Sequence, residues 1–192
     1  MIAYEGSAAR LEIALSTGRL ALELNRSEWP LGALCDFAER RNPIRAFLIV
    51  SKVLGRHIPA RPSLMRASAR CLSEKIPAEL PGPVLTFGMA ETAICLGHLV
   101  HDELSRLRKP GQGYYLHSTR QVLDAPLLSR FDEPHSHASA HLVYRPESFD
   151  LDRVASLVIV DDEVSTGTTL SNLVDSLARE LPLLQRVVIV TL

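Results

Sequence analysis

The sequence predicts an α/β protein with a Rossmann-like core, built on a mainly parallel sheet, and an amino-terminal subdomain of mixed structure. Three observations support this prediction. From residue 81 onward, short β-branched runs alternate with longer helical stretches, which is typical of βαβ units. The runs at 157–160 (LVIV) and 187–191 (VVIVT) are continuously apolar, as parallel strands covered on both faces are. The first 80 residues instead begin with alternating polar and apolar positions.

Residues 1–80 are predicted to form the mixed subdomain, which we call the hood. Residues 10–16 and 19–24 alternate around Thr17 and Gly18, the pattern and turn chemistry of a β-hairpin. The other predicted hood elements are a helix over 31–41, a strand over 47–50 and a helix over 62–76.

Residues 81–192 are predicted to form the core. Its predicted elements are strands over 83–87, 114–118, 142–144, 157–160 and 187–191, and helices over 90–107 and 168–181. The stretch 119–141 is too polar and too broken for a regular element, and loops of this length in compact domains are usually functional or disordered. Because the chain stops at the end of a predicted strand, we expect a further carboxyl-terminal region.

Composition excludes several classes of protein. The 21 basic and 22 acidic residues nearly cancel, so there is no sign of a broad basic face for nucleic acid. Cys35, Cys71 and Cys95 are odd in number and lack a C-x-x-C pair, which argues against disulfides and a thiolate zinc site; we expect them to be buried. Without an apolar run of about 18 residues or a signal peptide, a cytoplasmic protein without membrane partners is predicted.

Residues 158–170 (VIVDDEVSTGTTL) combine a buried strand, two acids, a small polar loop and the start of a helix. Open α/β sheets bind ligands at the carboxyl ends of their strands, and a helix amino terminus offers N–H groups to an anion. Gly167 lets the backbone close around a phosphate. Asp161 and Asp162 suit vicinal ribose hydroxyls or Mg²⁺. The loop hydroxyls that add hydrogen-bond donors are those of Ser165, Thr166, Thr168 and Thr169.

Two alternative interpretations of this segment can be tested against the sequence. It is not a Walker loop, because it lacks the G-x-x-x-x-G-K-[ST] pattern and contains no lysine. An ordinary helix start, with Ser165 or Thr166 as the N-cap, remains the alternative. That alternative does not explain two adjacent acids at the end of a buried strand.

The segment resembles the phosphoribosyl-diphosphate motif of type I phosphoribosyltransferases, in which a hydrophobic strand, two acids and two spacer residues precede a Thr/Gly-rich turn. The resemblance implies an enzyme that transfers ribose 5-phosphate to, or in reverse from, a nitrogenous acceptor, with pyrophosphate as the other product and Mg²⁺ as cofactor. It also implies that Asp161 and Asp162 hold the ribose and the metal, and that residues 165–169 hold the 5-phosphate.

The same resemblance implies a second loop, TFGMAETA at 86–93, that binds pyrophosphate through backbone amides; a plain strand-to-helix turn is the alternative. Arg120, after the predicted strand YYLHS, is then the residue that stabilises the leaving group, because a guanidinium suits a diphosphate. Otherwise it is a solvent-facing arginine. The residues assigned to pyrophosphate are Phe87, Gly88, Met89, Ala90 and Arg120.

The run FDEPHSHASAH at 131–141 lies where these enzymes carry a lid that excludes water from the reaction centre. His135 and His137 are predicted, with Arg120, to be catalytic. Together with His141, they could bind diphosphate, act as general acid or base, or ligate a metal.

The set of segments is most similar to phosphoribosyltransferase-like proteins of tellurium-resistance (ter) gene neighbourhoods, which often carry a carboxyl-terminal TRSP region. The shared segments are FLIVSKVLGRHIPARP, FGMAETA, LHSTR and EPHSHASAH. This resemblance implies a part in making a nucleoside-like metabolite. The hood holds the acceptor in related folds, so Lys52 and His57 are candidate acceptor contacts, and a homodimer is expected by analogy.

Three further points bear on function. Ser165 stands where enzymes acting on 6-oxopurines commonly have an aspartate, which makes hypoxanthine and guanine poor candidates. A sensor that binds phosphoribosyl diphosphate without turnover is the main alternative to an enzyme. A metal-dependent phosphohydrolase that uses the histidines is a third hypothesis.

Overall fold

The computed structural model describes residues 9–16, 18–24, 29–39, 47–107, 112–132 and 140–192. The chain divides into two compact units, residues 1–64 and 65–192, and each is described by itself. The division at residue 80 that the sequence suggests stays a prediction.

Among its described residues, the first unit contains two pairs of antiparallel strands and one short helix. Its elements are β1 (Ala9–Leu15), β2 (Gly18–Leu24), α1 (Leu31–Leu34), β3 (Cys35–Glu39) and β4 (Phe47–Ser51). Strand β1 pairs with β2, and β3 pairs with β4. The amino-terminal hairpin and the strand at 47–50 are therefore confirmed.

The helix predicted over 31–41 is wrong beyond its first turn. After α1 the chain becomes β3, which pairs with β4 from Cys35 opposite Ser51 to Glu39 opposite Phe47. The helical spacing of apolar residues is overridden because pairing with a strand distant in the sequence satisfies the same backbone groups. The Lys52 ammonium fixes this arrangement through an ion pair of 2.7 Å with Asp36.

The second unit is built on a four-stranded parallel sheet, which confirms the predicted α/β class. Its elements are β5 (Val84–Gly88), α3 (Ile94–Arg106), β6 (Gly113–His117), β7 (Leu127–Asp132), β8 (Ala140–Tyr144), β9 (Ser156–Asp161), α4 (Thr168–Leu177) and β10 (Arg186–Thr191). Helix α2 (Pro62–Ser73) crosses the junction of the two units. The order of the parallel strands is β10-β9-β5-β6.

The core lies on both faces of β5 and β9, whose residues are almost all buried. Leu157 and Ile159 of β9 pack on one face with the apolar stripe of α4. That stripe consists of Leu170, Leu173 and Leu177, at the spacing that places side chains on one side of a helix. Helix α3 contacts the sheet at β5, β6 and β9. Burial on both faces explains the continuous apolar run at 157–160 in β9.

Two expectations about this unit, and one about the cysteines of both units, were wrong. Residues 119–141 contain strand β7, which pairs antiparallel with β8 outside the parallel sheet. Strand β10 is an edge strand rather than a strand covered on both faces: among its residues only Val190 is buried, and Ile189 is 48% exposed. None of the cysteines is buried, and Cys95 is exposed.

The helices are shorter than predicted. Helix α2 ends at Ser73, α4 ends at Leu177, and α3 begins at Ile94 instead of residue 90. Before α3, the Ala93 N–H donates to the Met89 carbonyl over 3.1 Å, and this turn takes up the residues expected to be helical.

No helix in the described part of the chain is long and apolar enough to cross a membrane.

Ile159 and Ile189 allow a matched test of the sheet, since they are direct neighbours on β9 and β10. Ile159 is fully buried, whereas Ile189 is half exposed. Ile159→Ala is expected to lower the free energy of unfolding by about 2–5 kcal/mol because it removes buried methyl groups and leaves a cavity. Ile189→Ala should cost roughly 0.5–1 kcal/mol. Equal losses in urea denaturation would contradict the placement of β10 at the sheet edge.

Candidate active site

Three loops leave the parallel sheet at the same level. Gly88 at the end of β5 is paired with His117 at the end of β6 and with Val160 near the end of β9. Residues 89–93, 118–120 and 162–167 therefore start from one edge, the carboxyl edge at which open α/β sheets bind ligands. All three loops were singled out in the sequence, and the topology brings their starting points together.

The acid pair lies at the end of the buried strand β9. Asp161 is the last residue of β9, Asp162 follows it, and both are partly exposed. The Asp162 N–H donates to the Asp161 carboxylate over 3.0 Å, which fixes the first carboxylate against the turn. Carboxylate oxygens of this kind can accept ribose hydroxyls or bind Mg²⁺.

The polar loop after the acids ends in a left-handed residue that starts helix α4. Gly167 is the N-cap, with φ 77°, and no side chain caps the helix by hydrogen bonding from that position. A Cβ at Gly167 would meet no atom within 4 Å, so the backbone conformation rather than crowding requires glycine. The alternative in which Ser165 or Thr166 is the N-cap is therefore wrong.

The start of α4 is suited to an anion. The Ser171 N–H donates to the Gly167 carbonyl over 2.9 Å, which leaves the amides of residues 168–170 ahead of the first intrahelical bond. Thr166 Oγ1 lies 3.0 Å from Thr168 Oγ1 and accepts the Thr168 N–H over 3.4 Å, so two hydroxyls border these amides and the Thr168 amide already has a partner. Ser165, Thr166 and Thr168 are exposed, and Thr169 is partly exposed. The five residues predicted to hold a phosphate are thus contiguous and accessible.

The loop after β5 differs from expectation in how its residues are used. The side chains of Phe87 and Met89 are buried in the core. The Met89 N–H donates to the Val160 carbonyl over 3.0 Å, and the Ala90 N–H donates to Ser118 Oγ over 3.0 Å. These two amides thus hold the loop to β9 and β6. The Ala90–Glu91 peptide bond is cis.

Gly88 is required for internal packing. A Cβ there would lie 2.5 Å from the Tyr115 hydroxyl and 3.3 Å from Ile94 Cα, so packing inside the protein already requires glycine, and close approach to a ligand stays a prediction. The Tyr115 hydroxyl donates to the Ile94 carbonyl over 2.6 Å at the start of α3. Burial raises the pKa of Tyr115 well above its ordinary value, which keeps this donor protonated.

Arg120 lies just beyond the fixed end of the β6 loop. Thr119 forms a two-bond bridge with Leu142 of β8, with both N–H to O distances 2.8 Å. The Gln121 N–H donates to Thr119 Oγ1 over 3.1 Å. The backbone on both sides of the partly buried Arg120 is therefore held in place at the sheet edge.

The sequence suggested that His141 belongs to a loop, but it does not. It lies in β8, is 1% exposed, and stacks on Phe131 with ring centroids 4.7 Å apart. His135 and His137 lie outside the described residues. Within the described ranges no group of three or more His, Cys, Asp or Glu side chains is placed to hold a metal. Because His141 is buried in β8, it is not placed to join His135 and His137 in the metal site that the sequence suggested.

The two candidate acceptor contacts differ in their surroundings. Lys52 Nζ donates to the Gly32 carbonyl over 2.8 Å in addition to its ion pair with Asp36, so its donors are used within the first unit. His57 is exposed.

Ser118 was not predicted from the sequence as a site residue. It is completely buried, and its hydroxyl lies 3.0 Å from His141 Nδ1. Its one sequence signal is its position directly after a strand of the sheet.

The sheet order, the acid pair and the glycine-led helix suit an anionic, hydroxyl-bearing ligand at the carboxyl edge of a parallel sheet. Residues 34–192 match the model of the phosphoribosyl transferase family. The chain belongs to this family, and it is accordingly an enzyme of the phosphoribosyltransferase class.

Solved structures show the same fold. Adenine phosphoribosyltransferase from Saccharomyces cerevisiae is 16% identical, with 84% of this chain and 86% of that chain covered and a TM-score of 0.55. The Giardia lamblia enzyme is 16% identical, with coverages of 83% and 80% and a TM-score of 0.55. The Trypanosoma brucei enzyme, solved with AMP, pyrophosphate and ribose-5-phosphate, is 14% identical, with coverages of 88% and 83% and a TM-score of 0.52. A search of curated proteins gives no match.

Gly97→Ala tests the packing behind the β5 loop. A Cβ at Gly97 would lie 2.7 Å from Gly88 Cα, so α3 must move away from the sheet where the loop begins. We expect a loss of about 1–3 kcal/mol in the free energy of unfolding and weaker pyrophosphate binding in calorimetry. Gly32→Ala is the control, because its Cβ meets nothing within 4 Å. Unchanged stability and binding in Gly97→Ala would refute this packing role.

Proposed function

We propose that this phosphoribosyltransferase binds phosphoribosyl diphosphate with Mg²⁺ across the three loops of the carboxyl edge and transfers its ribose 5-phosphate to a nitrogenous acceptor. The observation that carries the proposal is the arrangement at 161–169. Two carboxylates end a buried strand, and a left-handed glycine turns the chain into a helix whose first amides precede any intrahelical bond. One segment thus offers acceptors for hydroxyls and donors for a phosphate.

In this proposal each part of the ligand has its own loop. Asp161 and Asp162 accept the ribose hydroxyls, and residues 165–169 donate to the 5-phosphate. Residues 89–93 receive the diphosphate. Because the Met89 and Ala90 amides are used within the protein, we place the diphosphate contacts later in this loop, before helix α3. The proposal keeps Phe87, Gly88, Met89 and Ala90 as the frame of that loop.

The reaction forms a C1–N bond and breaks the bond between C1 and the diphosphate oxygen. As that bond breaks, negative charge accumulates on the leaving diphosphate and positive charge on the ribose ring. Arg120 suits the diphosphate because its guanidinium donates in a planar fork. The acceptor nitrogen attacks C1 and then loses its proton. His135 and His137 stay predictions for proton transfer or diphosphate binding.

The described residues fit Mg²⁺ better than a transition metal. Asp161 and Asp162 supply oxygen ligands, and Mg²⁺ is typically bound by one or two carboxylates together with substrate phosphates and water. When bound, the metal would neutralise charge on the diphosphate.

The acceptor is proposed as a heterocyclic base. Ser165, an exposed hydroxyl, replaces the aspartate common in enzymes for 6-oxopurines, which argues against hypoxanthine and guanine. Adenine is the first base to test, since structures of adenine phosphoribosyltransferases share the fold. Lys52 and His57 as acceptor contacts also stay predictions.

The broader setting is likewise a proposal. The resemblance to ter-neighbourhood proteins supports a cytoplasmic enzyme that makes a nucleoside-like metabolite, linked to tellurite or stress resistance and followed by a TRSP region. Homodimerisation is proposed by analogy with related enzymes.

Calorimetry with phosphoribosyl diphosphate and Mg²⁺ tests the site. Asp161→Ala with Asp162→Ala should weaken binding at least ~100-fold, because two charge-assisted partners of the ligand are lost. Asp175→Ala is the matched control, since Asp175 is an exposed acid on α4, away from the sheet edge. Absence of binding to the wild type, or equal affinity in the double variant and the control, would refute the proposal.

A turnover assay tests the acceptor separately. We expect pyrophosphate to be released from phosphoribosyl diphosphate when adenine or another aminated heterocycle is the acceptor. With hypoxanthine, release should be at least ~10-fold slower, because residue 165 does not supply a carboxylate for that base. Ser165→Asp should raise the relative rate with hypoxanthine. A wild-type preference for hypoxanthine would contradict the argument from Ser165.

A further inference from the structure

Ser118 and His141 form a buried polar pair beside the β5 loop. Ser118 follows β6 and is 0% exposed, and His141 in β8 is 1% exposed. The Ser118 hydroxyl oxygen lies 3.0 Å from His141 Nδ1. Burying two polar side chains is costly unless they are paired, so the pair holds Ser118 in one orientation.

The oriented hydroxyl holds the loop. Ser118 Oγ accepts the Ala90 N–H over 3.0 Å, and the Ser118 N–H donates to the Gly88 carbonyl over 3.3 Å. Ser118 therefore binds the chain on both sides of Met89, directly before the residues proposed to meet the diphosphate. The Ala90 bond lies at the end of β5, where the chain must leave the sheet in a definite direction.

His141 is in turn attached to a fixed element. Its ring lies parallel to that of Phe131, its direct partner on β7, at an interplanar angle of 9°. Strand β7 is fastened to α4, since Ser176 Oγ donates to the Arg130 carbonyl over 3.1 Å and also bonds to Ser129 Oγ. These contacts hold the His141 ring in place, so it can fix the orientation of the Ser118 hydroxyl.

From these contacts we infer that Ser118 and His141 are positioning residues, which hold residues 89–93 in the conformation that receives pyrophosphate. The inference rests on the proposed function, because it assigns pyrophosphate to this loop. Neither residue touches the ligand; each acts through the Ala90 amide. Losing the pair should therefore weaken the diphosphate subsite and spare the 5-phosphate subsite on β9 and α4.

The test measures two ligands separately on the full chain. Calorimetry with pyrophosphate and with ribose 5-phosphate, both with Mg²⁺, compares wild type with Ser118→Ala and His141→Phe. Phenylalanine keeps the stacking on Phe131 but has no acceptor. We expect ~10-fold weaker pyrophosphate binding and ribose 5-phosphate affinity within ~2-fold, because one oriented hydrogen bond to the loop is lost.

Four further variants separate positioning from general damage. Ser118→Thr keeps the hydroxyl, and His141→Asn keeps a polar atom near Nδ1, so both should recover most of the pyrophosphate affinity. Ser118→Cys keeps the volume with a weak acceptor and replaces Ser118→Ala if that variant does not fold. Ser176→Ala loosens the same hairpin from α4 but keeps the Ser118–His141 pair and the Ala90 bond, so it should weaken pyrophosphate binding less than Ser118→Ala does and leave ribose 5-phosphate affinity near wild type.

The outcomes distinguish the two proposals. Unchanged pyrophosphate affinity in Ser118→Ala and His141→Phe, or equal weakening of both ligands there and in Ser176→Ala, overturns the positioning role alone. A wild type that binds neither pyrophosphate nor phosphoribosyl diphosphate overturns the proposed function, and the positioning role with it.

Discussion

Strands β5 and β9 are covered on both faces, and this burial constrains the rest of the second unit. Their backbone groups must be paired along the whole strand, because unpaired polar groups in the interior are costly. Parallel pairing with β6 and β10 satisfies them and brings the strand ends into register. Charged side chains can therefore appear only after the last buried residue of each strand. In β9 this position is Asp161, and in β5 it is the start of the loop after Gly88.

The same constraint explains how loops distant in the sequence act on one ligand. Residues 89–93 and 162–167 are about seventy residues apart, yet Met89 donates to the Val160 carbonyl and binds the two loops at their base. The β7–β8 hairpin supports the arrangement from α4 through Asn172 Nδ2, which donates to the Asp132 carbonyl over 2.9 Å. The contacts that stabilise the sheet thus also hold the bases of the loops at 89–93 and 162–167.

The parts predicted from the sequence are those whose physical cause is local. The continuous apolar run at 157–160 indicates β9, and the loop at 161–169 carries its acids, hydroxyls and glycine in one segment. The missed parts depend on distant pairing. The apolar residues of β3 have helical spacing, but the strand pairs with β4. The sequence of β7 shows no clear strand pattern, and the strand is defined by its pairing with β8. Ser118 and His141 are 23 residues apart, and neither position has a periodicity that reveals the other.

The central claim is that one ligand extends across the carboxyl edge from the α4 amino terminus to the β5 loop. A crystal structure of the protein with phosphoribosyl diphosphate and Mg²⁺ tests it most directly. We expect the 5-phosphate at residues 165–169, the ribose hydroxyls on Asp161 and Asp162, and the diphosphate at the loop of residues 89–93. A ligand bound away from this edge, or with its 5-phosphate at the β5 loop, would contradict it.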